Sequence, residues 1–391
     1  MIPKEVYEET LLSFLAPVRP FLDDAKVSEI MINGPNQIFI EKAGRLILTD
    51  ARFPSVEALN SALRNIAQFV GKMVDEDHPI LEARLPDGSR IEAIVPPAAP
   101  DGPDVAIRRF FKETLTVQRL VEFGSMTPEA ALFLEALVSL KQNVVVAGGT
   151  GSGKTSLLNA LSGFIPDAER IVIIEDSREV QLQKQHVVQL EARPGDAKGR
   201  GKVGIRDLFR ATLRMRPDRI VVGEIRGGEA LDLVQAMTSG HGGCLTTVHA
   251  TYPHDTLTRL ETMALMSDVE LPLSALRVQL GSAINIIVQT TRLTDGTRKV
   301  SHISEVRGYD AQEGFKLVDL FLRRYEGRDE RGYMRSVFEP TGELPLCTEM
   351  VHSFGMAFPA AVYEAARARG AGWGAEPADD ATGRGFHGGQ H

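Results

Sequence analysis

Residues 148–155 read Gly-Gly-Thr-Gly-Ser-Gly-Lys-Thr and satisfy G-x-x-x-x-G-K-S/T at every fixed position. Each residue type has a use against a triphosphate. Glycines at Gly148, Gly149, Gly151 and Gly153 let backbone N–H groups turn inward around a β-phosphate. Lys154 would reach the β- and γ-phosphates, and the Thr155 hydroxyl suits Mg²⁺. Thr150, Ser152 and Ser156 complete the set expected to bind the cofactor, ATP. The apolar run Val144-Val145-Val146-Ala147 before the loop predicts a buried strand. Leu157, Leu158, Leu161 and Phe164 after it predict a helix whose N-terminus faces the phosphates.

A phosphate loop alone only binds. Hydrolysis needs a group that acts on water and a positive charge opposite the γ-phosphate. Glu224 closes the apolar run Arg219-Ile220-Val221-Val222-Gly223-Glu224, where a carboxylate at a strand end could orient or deprotonate water and help hold the metal. The alternative is an ordinary acid at a strand end. A second acidic group, Glu175, Asp176 and Glu179, follows the run Arg170–Ile174; it could face Mg²⁺–ATP or be a solvated turn. His241 and His249 flank the run Leu245–Val248, either as γ-phosphate sensors or as structural histidines. Arg206, Arg210 and Arg214 recur every fourth residue, with Leu208, Ala211 and Met215 expected on the opposite helix face. That stripe could meet an anionic target, form a subunit interface or simply be solvated. Arg210, Arg214, Arg216, Arg108 and Arg109 are the candidate arginine fingers.

These side chains need a scaffold. The length of 391 residues allows two or three domains, and 43% hydrophobic with 25% charged residues is ordinary for a globular chain. A net charge of −8 argues against a surface that grips nucleic acid over its whole extent. Cys244 and Cys347 are far apart, so neither a zinc knuckle nor a disulfide framework is expected. The sequence shows no secretory signal and no run long enough to span a membrane, which predicts a cytoplasmic protein held at a membrane only through partners. Residues 1–112 alternate amphipathic helices with period-two strands and predict a small α+β domain. A linker is expected over 113–126. From Thr127, a cap followed by Pro128, helices alternate with buried apolar strands over 127–369, predicting a parallel α/β core with a C-terminal subdomain. The Gly- and Ala-rich end, 370–391, is expected to be disordered.

Four blocks then stand in order: GGTGSGKTSLLNAL, ERIVIIEDSREVQL, LRMRPDRIVVGEIRGGEA and TSGHGGCLTTVHAT. Together they resemble the type II/IV secretion ATPases, hexameric motors of secretion, conjugation and pilus machines. The resemblance covers residues 27–325 and implies a RecA-like P-loop core behind a PAS-like N-terminal domain. In its terms Gly148–Thr155 is the Walker A, Glu175–Glu179 the acidic box, Gly223-Glu224 an atypical Walker B, and His241–His249 the histidine box. The runs VSEIMINGPNQIFIEKAGRL and VAIRRFFKETLTVQRLVEFGSMTPE are most similar to the CpaF branch, the motors of tight-adherence (Flp) pili. The resemblance therefore implies a homohexamer acting on an inner-membrane platform protein, with no direct nucleic-acid contact. A conjugation ATPase or a nucleic-acid translocase is the competing reading.

Overall fold

The computed structural model describes residues 4–42, 44–110, 115–193, 195 and 200–370, with backbone alone for 4–8. The tail expected from residue 370 lies, past Gly370 itself, outside the described residues. The chain divides into two compact units, Met1–Glu113 and Thr114–His391.

The first unit begins with helices α1 (Lys4–Phe14) and α2 (Arg19–Asp23), then strands β1 (Val27–Asn33), β2 (Gln37–Lys42) and β3 (Arg45–Leu48). Helix α3 (Val56–Phe69) follows, then β4 (Ile80–Arg84), β5 (Arg90–Ile94) and β6 (Asp104–Arg108). The strands form one antiparallel sheet in the order β3-β2-β1-β6-β5-β4. Ser55 accepts the N–H of Ala58 and so caps α3. That helix turns Leu59, Leu63 and Ile66 onto Ile30, Ile32, Ile38 and Ile107 of the sheet.

The second unit carries α4 (Val117–Glu122), α5 (Pro128–Ser139), β7 (Val144–Gly148), α6 (Lys154–Ser162), β8 (Ile171–Glu175) and β9 (Val187–Glu191). Then come α7 (Ile205–Thr212), β10 (Arg219–Val222), α8 (Glu229–Thr238), β11 (Leu245–His249), α9 (Pro253–Ala264) and α10 (Leu273–Ala283). Strands β12 (Ile286–Arg292), β13 (Arg298–Asp310), β14 (Gly314–Arg328) and β15 (Met334–Pro340) precede α11 (Thr348–Ser353) and α12 (Ala360–Ala368).

Its sheet runs β15-β14-β13-β12-β7-β11-β10-β8-β9. From β12 to β9 the pairs are parallel; β13, β14 and β15 extend the sheet antiparallel. The expected parallel core is present, and its C-terminal extension makes the whole sheet mixed, because tight turns rather than crossover helices join β12 to β15. Successive residues of the parallel strands serve two cores. Val144, Val146, Ile171 and Ile173 face α5 and α6, whereas Val145, Ala147, Val172 and Ile174 face α7, α8 and α9. Burial on both faces explains why these strands read as unbroken apolar runs.

One helix face differs from expectation. On α7 the buried side is Ile205, Phe209 and Thr212, while Ala211 is exposed and Leu208 and Met215 are half-buried. The helix also ends before Arg214, since Leu213 caps it. Arg206 and Arg210 therefore share one face, as their spacing predicts, but Arg214 lies past the helix end, and the buried face is set by Phe209.

Candidate functional site

Parallel sheets bind ligands beyond the carboxyl ends of their strands. There β7 runs into the phosphate loop, whose shape depends on its glycines. Gly151 (φ 68°) and Gly153 (φ 93°) adopt the left-handed conformation, and Gly153 starts α6. At Gly148 the limit is space: a Cβ would stand 2.3 Å from Thr290 Oγ1 and 2.4 Å from Ser152 Oγ. Ser152 Oγ donates to Gly149 O at 2.8 Å and lies 2.8 Å from Thr290 Oγ1. Thr290 Oγ1 in turn donates to Ala147 O at 3.1 Å, and Arg298 Nε donates to Gly151 O at 2.8 Å. Strands β12 and β13 therefore brace the loop. Gly149, Thr150 and Gly151 stay exposed; Thr155 and Ser156 are half-buried in the first turn of α6.

Lys154 is buried, its Nζ donating to Gly149 O at 3.1 Å and lying 3.2 Å from His249 Nδ1. The register pairs His249 with Gly148, so this histidine ends β11 directly beside the loop. Burial, reinforced by the Lys154 charge, holds the His249 pKa below its ordinary value, which favours the neutral ring. Its Nε2 comes within 2.8 Å of Glu224 Oε1 without hydrogen-bond geometry. Glu224 lies not on β10 but two residues past its end at Val222. Its Oε2 accepts from Arg226 Nε at 2.7 Å and Nη2 at 2.5 Å, while Arg226 Nη1 is 3.5 Å from Asp176 Oδ2. Lys154, His249, Glu224, Arg226 and Asp176 thus form one continuous row along the strand ends.

The turn that carries Glu224 is itself fixed. Gly223 N donates to Ile174 O at 2.9 Å, and Thr247 Oγ1 donates to Gly223 O at 2.7 Å. Glu229 Oε1 accepts the N–H of Arg226 at 2.8 Å and of Gly227 at 2.9 Å. Below it lies Glu175, whose Oε1 accepts the N–H groups of Glu179 and Val180 at 2.9 Å each. Burial raises the Glu175 pKa to about 7, against the lowering effect of those two bonds. A Cβ at Gly223 would stand 2.9 Å from Glu175 Cγ, so glycine before Glu224 leaves room for the Glu175 side chain. Glu175 shapes the acidic turn from beneath; of that turn, Asp176 is the acid in the row and Glu179 gives Glu175 its backbone N–H.

Other expected residues lie elsewhere. β7 and β11 start together, Leu245 beside Val144, and His241 precedes that start. It therefore sits at the sheet end opposite the phosphate loop, which removes it from this chain's own site. Arg214 and Arg216 share that far end, between α7 and the start of β10, where Arg170 Nε donates to Met215 O at 3.0 Å. Arg210 Nε donates to Asp232 Oδ1 at 2.9 Å on α8, beside Arg206 on Asp232 Oδ2 at 2.8 Å. Arg108 and Arg109 belong to the first unit, where Arg109 Nη1 donates to Phe21 O at 2.9 Å and Asp24 O at 2.6 Å.

Three contributors escaped the sequence reading: Arg226, Thr290 and Arg298. For Arg226 a signal existed, a cation two residues after the strand-end acid. Thr290 and Arg298 carried none, because they reach the loop only through sheet pairing.

A profile of type II/IV secretion system proteins matches residues 13–321. The chain belongs to the type II/IV secretion system protein family. With the phosphate loop intact, that membership makes it an ATPase. The conjugal transfer protein TrbB of Rhizobium radiobacter is 34% identical over 293 residues, 74% of this chain and 86% of TrbB. The type IV secretion system protein PtlH of Bordetella pertussis is 34% identical over 303 residues, 71% of this chain and 89% of PtlH. In fold, this secretion-family chain matches the X-ray structure of the Yersinia pseudotuberculosis ATPase DotB (TM-score 0.53, 16% identity), covering 94% of both chains.

Proposed function

We propose that this chain is the motor of a tight-adherence type pilus or a related secretion machine, turning ATP hydrolysis into movement of a membrane complex. The observation that carries the catalytic part is the row Lys154–His249–Glu224 beside an intact phosphate loop. Lys154 would leave His249 and Gly149 O for the β- and γ-phosphates. Neutral His249 would then face the γ-phosphate, and Glu224 would take the proton of the attacking water. Thr155 would hold Mg²⁺, with Asp176, Glu224 and Glu179 reaching it directly or through water. Among the described residues no three His, Cys, Asp or Glu side chains form a cation cage. That fits a Mg²⁺ held largely by phosphate oxygens and water. Such an ion would neutralise charge developing on the transferred phosphate.

Ring formation as a homohexamer would let a neighbour's arginine reach the γ-phosphate. Arg108, Arg109, Arg210, Arg214 and Arg216 are the candidates for that role; Arg210 would first have to leave Asp232, and Arg109 the carbonyls of Phe21 and Asp24. No helix among the described residues is long and apolar enough to cross a membrane, so a platform protein would provide the attachment at the inner membrane. The similarity to the conjugal protein TrbB and to PtlH favours a second reading, a conjugation or type IV secretion ATPase. Direct work on nucleic acid is less favoured, because Arg206 and Arg210 close on Asp232 rather than offering a basic stripe.

Glu224→Gln tests the chemistry. Steady-state ATP turnover should fall by roughly 10²- to 10³-fold while ATP affinity stays within a few-fold of wild type. Unchanged turnover would remove Glu224 from the catalytic role.

A further inference from the structure

The two oxygens of Glu224 have unlike surroundings. Oε2 takes both the Nε and Nη2 donors of Arg226, at 2.7 and 2.5 Å. Among the described residues no protein group hydrogen-bonds to Oε1, although that atom is buried. Oε1 is also the oxygen turned toward His249 and hence toward the phosphate loop. A carboxylate with an accepting oxygen aimed at a ligand and the other oxygen tied down is what directed proton acceptance from water requires.

The backbone that carries the arginine is fixed, while its guanidinium, on a side chain 56% exposed, is held by the two acids it meets. Its own N–H and that of Gly227 both donate to Glu229 Oε1, and Glu229 is 9% exposed at the start of α8. Its far nitrogen, Nη1, stands 3.5 Å from Asp176 on the neighbouring turn. Gly228 presses on the backbone of Met266 and Ser267, where a Cβ would come within 3.0 Å of Ser267 Cα. The segment Arg226–Glu229 is therefore pinned on both sides.

We infer that Arg226 is a positioning residue for hydrolysis: it fixes Oε2 of Glu224 and so presents Oε1 to the attacking water. This rests on the reading of Glu224 as the group that acts on water. A planar guanidinium supplies two donors in fixed directions, whereas the ammonium of lysine is one rotatable point charge. Charge alone cannot replace it.

The experiment is a double-mutant cycle on the full-length protein with ATP and Mg²⁺, using Arg226→Gln, Arg226→Lys, Glu224→Gln and the Arg226→Gln/Glu224→Gln pair. Turnover number, KM, assembly mass and equilibrium binding of a fluorescent ATP analogue are read for each. Both Arg226 variants should lose roughly 10- to 100-fold in turnover number, with KM and analogue affinity within about twofold of wild type. In the Glu224→Gln background, Arg226→Gln should cost nothing further. Full activity of Arg226→Lys would overturn the proposal, as would undiminished loss in the Glu224→Gln background. Loss of assembly mass or analogue binding in both Arg226 variants would also overturn it, since the residue would then be structural. Wild-type turnover in Glu224→Gln would instead bring down the underlying catalytic reading.

Discussion

At the end of β8 the Glu175 side chain is 2% exposed, and burial raises its pKa to about 7 although two backbone N–H groups donate to Oε1. The folded chain therefore binds a proton there that the unfolded chain, near 4.5, has already released. Stability from this site is complete below about 4.5 and is lost as pH rises to about 7, a change on the order of 3 kcal/mol. Glu175→Gln should flatten that part of the stability curve, and chemical denaturation across the same pH window measures it. An unchanged slope would mean that the carboxyl titrates normally. The sequence pointed to the glycines, Lys154, Glu224 and His249, and the fold brings these residues together at one end of the sheet. The sequence did not disclose depth, so Glu175 looked like a site acid rather than a buried strut. Nor did it disclose which sheet end a residue occupies. His241 and His249 look equivalent beside one strand, yet they stand at opposite ends of it.

Elements decide how rigid the loop is. The phosphate loop is joined by sequence to β7 and α6, yet two of its restraints come from strands later in the chain. Thr290 of β12 ties Ser152 to Ala147, and Arg298 of β13 holds Gly151 O at 2.8 Å. Arg298→Ala would leave the Gly151 carbonyl free to turn inward, where it would oppose a phosphate instead of the N–H groups that bind it. We expect ATP affinity to fall by roughly 5- to 30-fold, about 1–2 kcal/mol for one charge-assisted bond, with the folded state little changed. Titration of a fluorescent ATP analogue reads this directly; wild-type affinity would mean that the loop holds its shape without β13. Apolar runs and caps made most elements legible, including the Thr127 cap that accepts from Ala130 N. Register was not legible, because nothing local to Arg298 or Thr290 says that β12 pairs with β7.

For the whole molecule, the notable fact is that the family profile ends before the hydrophobic core does. The profile ends at residue 321, but β15, α11 and α12 lie beyond it and complete the core under α5. Phe133 of α5 meets Phe358 with ring centroids 4.6 Å apart and Phe321 at 5.1 Å; Phe338 continues the cluster 5.6 Å from Phe321. Sequence blocks could not reveal this, because the covering helices are short and their partners sit more than two hundred residues earlier in the chain. If the segment were an appendage, removing one of its side chains would cost under about 1 kcal/mol, as at ordinary surface positions. Phe358 is 3% exposed and packs, tilted by 37°, against the fully buried ring of Phe133. Phe358→Ala should therefore destabilise the second unit by about 3–5 kcal/mol and lower its melting temperature by on the order of 10 °C. ATP-analogue affinity well below that transition should be unchanged, since Phe358 contacts the α5 face and not the phosphate loop. Calorimetry on the full chain checks the first expectation and analogue binding the second. A melting shift of only a degree or two would show that the terminal helices lie on the core without supporting it.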